Sequence, residues 1–183
     1  DAGFDPRAEI TPDIFRRLPI LTRSDYQNAA LETMPLNIPA DHGENGEIRS
    51  SGTTGRAITV IKTELCNLMM FATEIRGHLW HKRDVKKKLA MIRYMDKTKA
   101  MAPSGLEYEN WGPATGMLFS ETGACVFLNI ANNLKDQADW LIRHNPEYIL
   151  SYPSNLLALG KYFERNGLSL PGLRQVCTVS ELV

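Results

Sequence analysis

Cysteine is scarce, neither sign of charge is in excess, and no long apolar run interrupts the 183 residues. The three cysteines, Cys66, Cys125 and Cys177, are odd in number, widely spaced and set among apolar neighbours. Three cannot all pair within one chain and no two have metal-ligand spacing. They therefore argue against a disulfide scaffold and for reduced core cysteines in a cytoplasmic protein. Lysine plus arginine balances aspartate plus glutamate at 21 each, which removes the global electrostatic case for a nucleic-acid partner. No stretch approaches a membrane span, and the first residues carry no signal-peptide pattern. There is no internal repeat, no low-complexity tract, and no Gly-Lys-Ser/Thr ending of the ATPase P-loop type. What remains is 43% hydrophobic and 23% charged, an ordinary globular balance able to bury one sizeable core.

Against that background one segment stands out: Ser50, Ser51, Gly52, Thr53, Thr54 and Gly55, then Arg56 and the apolar run Ala57 to Ile61. Six small residues supply four hydroxyls and two glycines, and β-branched residues follow at once. Such a segment can bend around an anion and offer it N–H and O–H donors from several directions. An anion of that size is a phosphate chain. The same composition also makes ordinary turns and flexible linkers, but here the segment runs straight into a strand and is anchored.

Around it, the periodicity predicts a layered α/β fold with a largely parallel sheet. Thr22 and Asp25 form a capping-box pattern, which predicts a helix from Arg23 to about Leu31. Residues 35–49 read as a connecting loop, and a strand is expected from Ala57 to Lys62. Thr63 can cap a long helix whose Leu65, Leu68, Met69, Ala72, Ile75 and Leu79 share one face. Strands are predicted at Leu89–Tyr94, Cys125–Ile130, Tyr148–Ser151 and Arg174–Val179. Helices are predicted at Leu134–His144, capped by Asn133, and through Leu156 to Phe163, capped by Ser154 and closed by Gly167. Residues 96–116 hold Pro103, Gly105, Gly112, Pro113 and Gly116 and read as a long loop of the kind that often carries function.

The order Ser50 to Gly55 resembles the phosphate loop of the adenylate-forming (AMP-binding) superfamily, in which Lys-Pro or Arg-Pro commonly follows. Arg56 fits and Ala57 departs. Leu18, Pro19, Ile20, Leu21 and Thr22 resemble the entry segment of the phenylacetate-CoA ligase-like branch, which includes CapK-type capsule-biosynthesis proteins. Asn145 to Ser154, then Leu170 to Arg174, then Thr178, Val179, Ser180 and Glu181 are similar to the same branch and stand in the same order.

The resemblance implies an enzyme that activates a small-molecule carboxylic acid with ATP and Mg2+ to an acyl-adenylate, and then passes the acyl group to coenzyme A. It implies that Ser50, Ser51, Thr53 and Thr54 donate to the β- and γ-phosphates. Gly52 and Gly55 would let the backbone approach, and Arg56 would add charge. Ser180 and Glu181 would precede the adenine pocket, although a strand end facing solvent would look the same. The superfamily's later elements are absent: the tyrosine-glycine-x-threonine-glutamate segment, the ribose-binding aspartate, the hinge and the catalytic lysine. With a start at Asp1 and a stop at Val183 after an apparent strand, residues 1–183 are expected to be part of an N-terminal adenylation domain. Residues 1–49 would be its lead-in, and residues 50–183 its phosphate loop and α/β layers. A non-catalytic nucleotide-binding or scaffold module of the same fold is the alternative. A third possibility is an α/β domain whose Ser/Gly segment is only a turn.

Four other features call for weighing. His78 and His81 have a spacing that can place two metal ligands on one helix face, but no third ligand is near and histidines suit a helix C-terminus. Lys82, Arg83, Lys86, Lys87 and Lys88 read as a solvated turn, since no aromatics interleave with them. Glu107 and Glu109 could serve acid–base chemistry, and Tyr108 with Trp111 could line an acyl pocket. Trp80 and Trp140 are expected in the core.

Overall fold

A computed structural model of the protein describes residues 7, 9–28, 37–49, 58–96, 98–119 and 121–180. The chain divides into two compact units, Asp1–Met69 and Met70–Val183.

In the first unit, α1 (Pro12–Arg17) starts on Thr11, whose side chain accepts from Ile14 N, with Pro12 in the first turn. The capping box forms as expected at α2 (Arg23–Asn28). Asp25 N donates to Thr22 Oγ1 at 3.2 Å, and Thr22 N donates back to Asp25 Oδ2 at 3.0 Å. Thr22 Oγ1 also donates to Asp25 Oδ2 at 2.6 Å, and this bond, with the one from Thr22 N, holds the Asp25 carboxyl below its ordinary range. Residues 35–49 are not all loop. They contain a short 3-10 turn at Ala40–His42 and a strand, β1 (Asn45–Arg49). This strand lacks the apolar alternation of a half-buried one. It forms because β2 (Thr59–Thr63) pairs with it antiparallel, from Asn45↔Thr63 to Arg49↔Thr59.

The long helix α3 (Glu64–Trp80) begins where Thr63 Oγ1 accepts from Cys66 N. Its expected apolar stripe is not its buried face. Leu68, Met69 and Leu79 are exposed, Trp80 is 74% exposed, and His78 is the only buried residue of the helix. Within the second unit, Gly77 and His78 of this helix line a concavity together with Leu89, Met91 and Leu150, while Trp80 lies outside under Arg76, 5.0 Å from its ring centroid. Cys66 is likewise exposed, contrary to a core placement.

The second unit is a five-stranded sheet in the order β4-β5-β3-β6-β7. The strands are β3 (Leu89–Arg93), β4 (Leu106–Tyr108), β5 (Cys125–Asn129), β6 (Tyr148–Ser151) and β7 (Gln175–Thr178). All pairings are parallel except that of edge strand β4 with β5. The protein is therefore α/β with a mostly parallel sheet, as its alternating pattern predicts.

Residues of opposite parity on each strand build two cores. Ala90, Ile92, Val126, Leu128 and Ile149 face α5 (Leu134–His144) and α6 (Pro153–Asn166), where Trp140, Leu141 and Leu159 complete the layer. Leu89, Cys125 and Tyr148 face the other way, toward Val85 and Trp111.

Caps set the helix ends. Asn133 Oδ1 accepts from Asp136 N at 2.9 Å at the start of α5, and Gly167 in the left-handed region closes α6. Ser154 is not the cap of α6. The helix begins two residues earlier than such a cap would set, on Pro153 with Tyr152 as N-cap, because proline's fixed φ suits the first turn. Residues 96–116 likewise contain β4 and the start of α4 (Pro113–Leu118). β4 has too few residues for a period-2 pattern to be read, and only pairing with β5 reveals it.

Candidate functional site

The Ser/Gly segment joins the two strands of a hairpin. Arg49, the last residue of β1, pairs with Thr59, the first of β2, so both ends of the connection are held together by a ladder. Tyr26 Oη also donates to Thr59 O at 3.3 Å, which ties α2 to this end of the hairpin. Ser50, Ser51, Gly52, Thr53, Thr54, Gly55 and Arg56 themselves lie outside the described residues, as does Glu181. Ser180 is described. It is exposed, just beyond β7, with φ at 67°, a region that non-glycine residues seldom enter.

At the carboxyl ends of the parallel strands of the second unit lies a chain of buried amides and hydroxyls that no sequence motif announced. Asn129 ends β5 with its side-chain amide shared among the carbonyls of Met95, Asp96 and Lys99 at 3.0, 3.1 and 3.2 Å. Asn132 Nδ2 donates to Asn129 O at 2.6 Å, and Ala102 N donates to Asn132 Oδ1. Gln137 of α5 donates to Asn132 O at 2.8 Å and accepts from Asn155 of α6 at 2.9 Å. Asn155 also donates to Ser151 Oγ, which in turn donates to Ile92 O at 2.7 Å. The network pins Met95, Asp96, Lys99 and Ala102 over the ends of β3, β5 and β6, the edge where open α/β sheets hold ligands.

On the Trp111 side of the sheet a cavity of about 610 Å³ opens, lined by Met91, Met95, Tyr108, Trp111, Met117 and Phe127 among others. That volume falls within the range of small-molecule pockets, and so does its largely apolar, aromatic lining. Tyr108 and Trp111 thus come together as the sequence suggested. Trp111 is fixed by its indole N–H, which donates to Lys87 O at 2.7 Å. Cys125 also lines this cavity, but burial pushes its thiol up to about 11, which keeps it protonated at neutral pH.

Other sequence candidates separate. Glu107 and Glu109 are exposed in and beside edge strand β4 and form no catalytic pair. His78 is buried, whereas His81 is exposed in the turn just beyond the end of α3. Among the described residues no group of three or more histidine, cysteine, aspartate or glutamate side chains could hold a metal ion. The basic segment is a turn, with Arg83 Nε donating to Gln175 Oε1 at 2.8 Å. No helix among the described residues is long and apolar enough to cross a membrane.

No known protein-family model matches the sequence, and no curated protein matches it. Solved structures do. An open conformation of 2-hydroxyisobutyryl-CoA ligase in complex with 2-HIB-AMP and CoA superimposes over 99% of this chain, with a TM-score of 0.59 and 15% identity. The same enzyme in the thioesterification state, also with 2-HIB-AMP and CoA, matches 96% of the chain at a TM-score of 0.58 and 16% identity. The likeness shows the fold. The chain spans 41% and 36% of the length of those two structures.

Proposed function

We propose that this chain is part of the N-terminal domain of an adenylate-forming protein of the phenylacetate-CoA ligase-like, CapK-type branch. The intact protein would activate a carboxylic acid with ATP and transfer the acyl group to coenzyme A. The observation that supports the adenylate-forming reading is the match of nearly the whole chain to a fold whose solved complexes hold 2-HIB-AMP and CoA; the branch rests on the sequence resemblance of Leu18 to Thr22 and Asn145 to Ser154. The Ser/Gly segment between paired strand ends gives it a chemical basis.

In the proposed reaction a carboxylate oxygen attacks the α-phosphorus of ATP and the bond to the β-phosphate oxygen breaks. Pyrophosphate leaves and an acyl-adenylate forms; a thiol then displaces AMP. Pyrophosphate departs readily only where its charge is neutralised. Ser50, Ser51, Thr53 and Thr54 would donate to the β- and γ-phosphates, and Arg56 would add a positive charge. Gly52 and Gly55 would keep Cβ atoms out of the way. Magnesium would arrive with the nucleotide as part of the substrate. Ser180 and Glu181 would lie on the approach to adenine, and the cavity beside Trp111 would receive the apolar body of the acid. A cytoplasmic site of action accords with three unpaired cysteines.

Carboxylate-dependent ATP–pyrophosphate exchange tests the proposal. The uninterrupted reading frame is assayed with magnesium against a panel of aryl and short aliphatic acids, beside a Gly52→Val/Gly55→Val double variant. Exchange stimulated by at least one acid and lost by about a hundredfold or more in the variant is expected. Exchange untouched by the double change, or silence from folded protein across the panel, would overturn the proposal.

A further inference from the structure

Beside Trp111, on the same side of the sheet, a second concavity of about 320 Å³ lies between the C-terminal half of α3 and strands β3, β6 and β7. Its walls are Leu89, Met91, Leu150 and Trp111, but its polar content is unusual for so enclosed a place: His78, Glu74, Arg83 and Arg93 also line it. His78 is 8% exposed. Its ring is held edge-on to Trp111 at 5.2 Å between centroids, and Arg83 Nη1 lies 3.2 Å from its Nδ1. Arginine only donates, so Nδ1 accepts and the ring proton sits on Nε2.

That Nε2–H is buried and has no hydrogen-bond partner among the described residues. Glu74 Oε1 stands 3.8 Å away, beyond hydrogen-bond reach, on a side chain nearly half exposed. Of the other polar groups lining the pocket, Tyr148 Oη accepts from Asp84 N at 2.8 Å, and Trp111 Nε1 and Arg83 Nε donate to Lys87 O and Gln175 Oε1. A buried donor left unmade is costly and calls for an explanation. Two guanidinium groups against one carboxylate leave the lining positive.

We propose that this pocket binds a small oxyanion, a carboxylate or phosphate group, which accepts the His78 Nε2–H and lies within the field of Arg83 and Arg93. The apolar walls then enclose the body of the molecule that carries it. This site does not depend on adenylate chemistry, and its test requires no turnover.

The experiment follows the imidazole nitrogens of His78 by long-range ¹⁵N NMR while the protein is titrated with sodium acetate or sodium phosphate. Sodium chloride at matched ionic strength is the control. A saturable shift of the His78 Nε2 resonance with one oxyanion and not with chloride is expected, and the arm that responds identifies the source. By calorimetric titration with the oxyanion that responds, His78→Phe, which keeps a ring against Trp111, should bind about tenfold or more weakly than the parent. Should that variant not fold, Arg93→Met at the end of β3 serves in its place and should weaken binding several-fold. A His78 resonance unmoved by both oxyanions, or affinity unchanged in whichever variant folds, overturns the proposal.

Discussion

Replacing Asn129 with alanine should destabilise the second unit by about 3–4 kcal/mol, and the geometry shows why. Asn129 is fully buried at the end of β5. Its two amide hydrogens serve three carbonyls, those of Met95, Asp96 and Lys99, and its Oδ1 accepts from Ala131 N at 3.1 Å. Alanine removes two amide bonds at about 1 kcal/mol each. It also strands at least one carbonyl in a space water does not reach, at about 1–2 kcal/mol more. The Ala131 N–H belongs to an exposed residue and can be rehydrated, so it adds little.

Asn129→Asp sharpens the test. The shape is kept, but a carboxylate oxygen now faces three carbonyl oxygens, so at neutral pH aspartate should cost more than alanine. Because burial among acceptors favours the protonated acid, the aspartate variant should recover part of its loss as the pH falls. Urea denaturation followed by tryptophan fluorescence measures both. A loss below about 1 kcal/mol for alanine, or an aspartate variant at pH 7 no worse than the alanine one, would refute the reasoning.

Trp140 is fully buried and donates to Ser104 O, so Trp140→Ala should cost about 3–5 kcal/mol, whereas exposed Trp80→Ala should cost less than about 1 kcal/mol by the same assay. Gly123→Ala should lose about 1–3 kcal/mol, because a Cβ there would be driven into the carbonyl oxygens of Lys86 and Lys87. Gly160→Ala, in α6 with nothing near its added Cβ, should gain up to about 1 kcal/mol. Cys125 is pushed from an ordinary value of 9.0 to about 11 by burial. The folded chain therefore keeps a proton that the unfolded chain gives up. This contribution to stability is whole below pH 9 and drains away between pH 9 and 11, on the order of 2 kcal/mol. The pH profile of Cys125→Ala should lack this fall, so the parent-minus-variant difference should show it; parallel profiles would reject the reasoning.

Local signals were legible wherever their cause is local. The capping box at Thr22 and Asp25, the Asn133 cap and the Gly167 stop each depend on bonds within three or four residues, and each formed. The strand at Tyr148–Ser151 is a short run, apolar but for its last residue, in a parallel sheet covered on both faces, and its bounds were readable. α3 misled because helical spacing shows that apolar residues share a face without showing what lies against that face. Leu68, Met69 and Leu79 share one, yet His78 on another is the residue that is buried. The oxyanion pocket could not be read either: His78 and His81 drew notice as a metal pair, whereas what matters is the distance from His78 to Arg83, Glu74 and Trp111.

By itself, then, the sequence determined the alternation of strands and helices, their caps, and the hydroxyl- and glycine-rich segment between β1 and β2. These follow from φ preferences, hydrogen bonds to near neighbours and hydrophobic period, all written within a few residues. Tertiary structure alone decided that Asn45–Arg49 and Leu106–Tyr108 are strands, since each needs a partner from elsewhere to satisfy its backbone. It alone joined Asn129, Asn132, Gln137, Asn155 and Ser151 into one buried network. It alone set Trp140 inside and Trp80 outside. Burial and long-range hydrogen bonds belong to pairs of distant residues, and no single segment of the chain contains both members of such a pair.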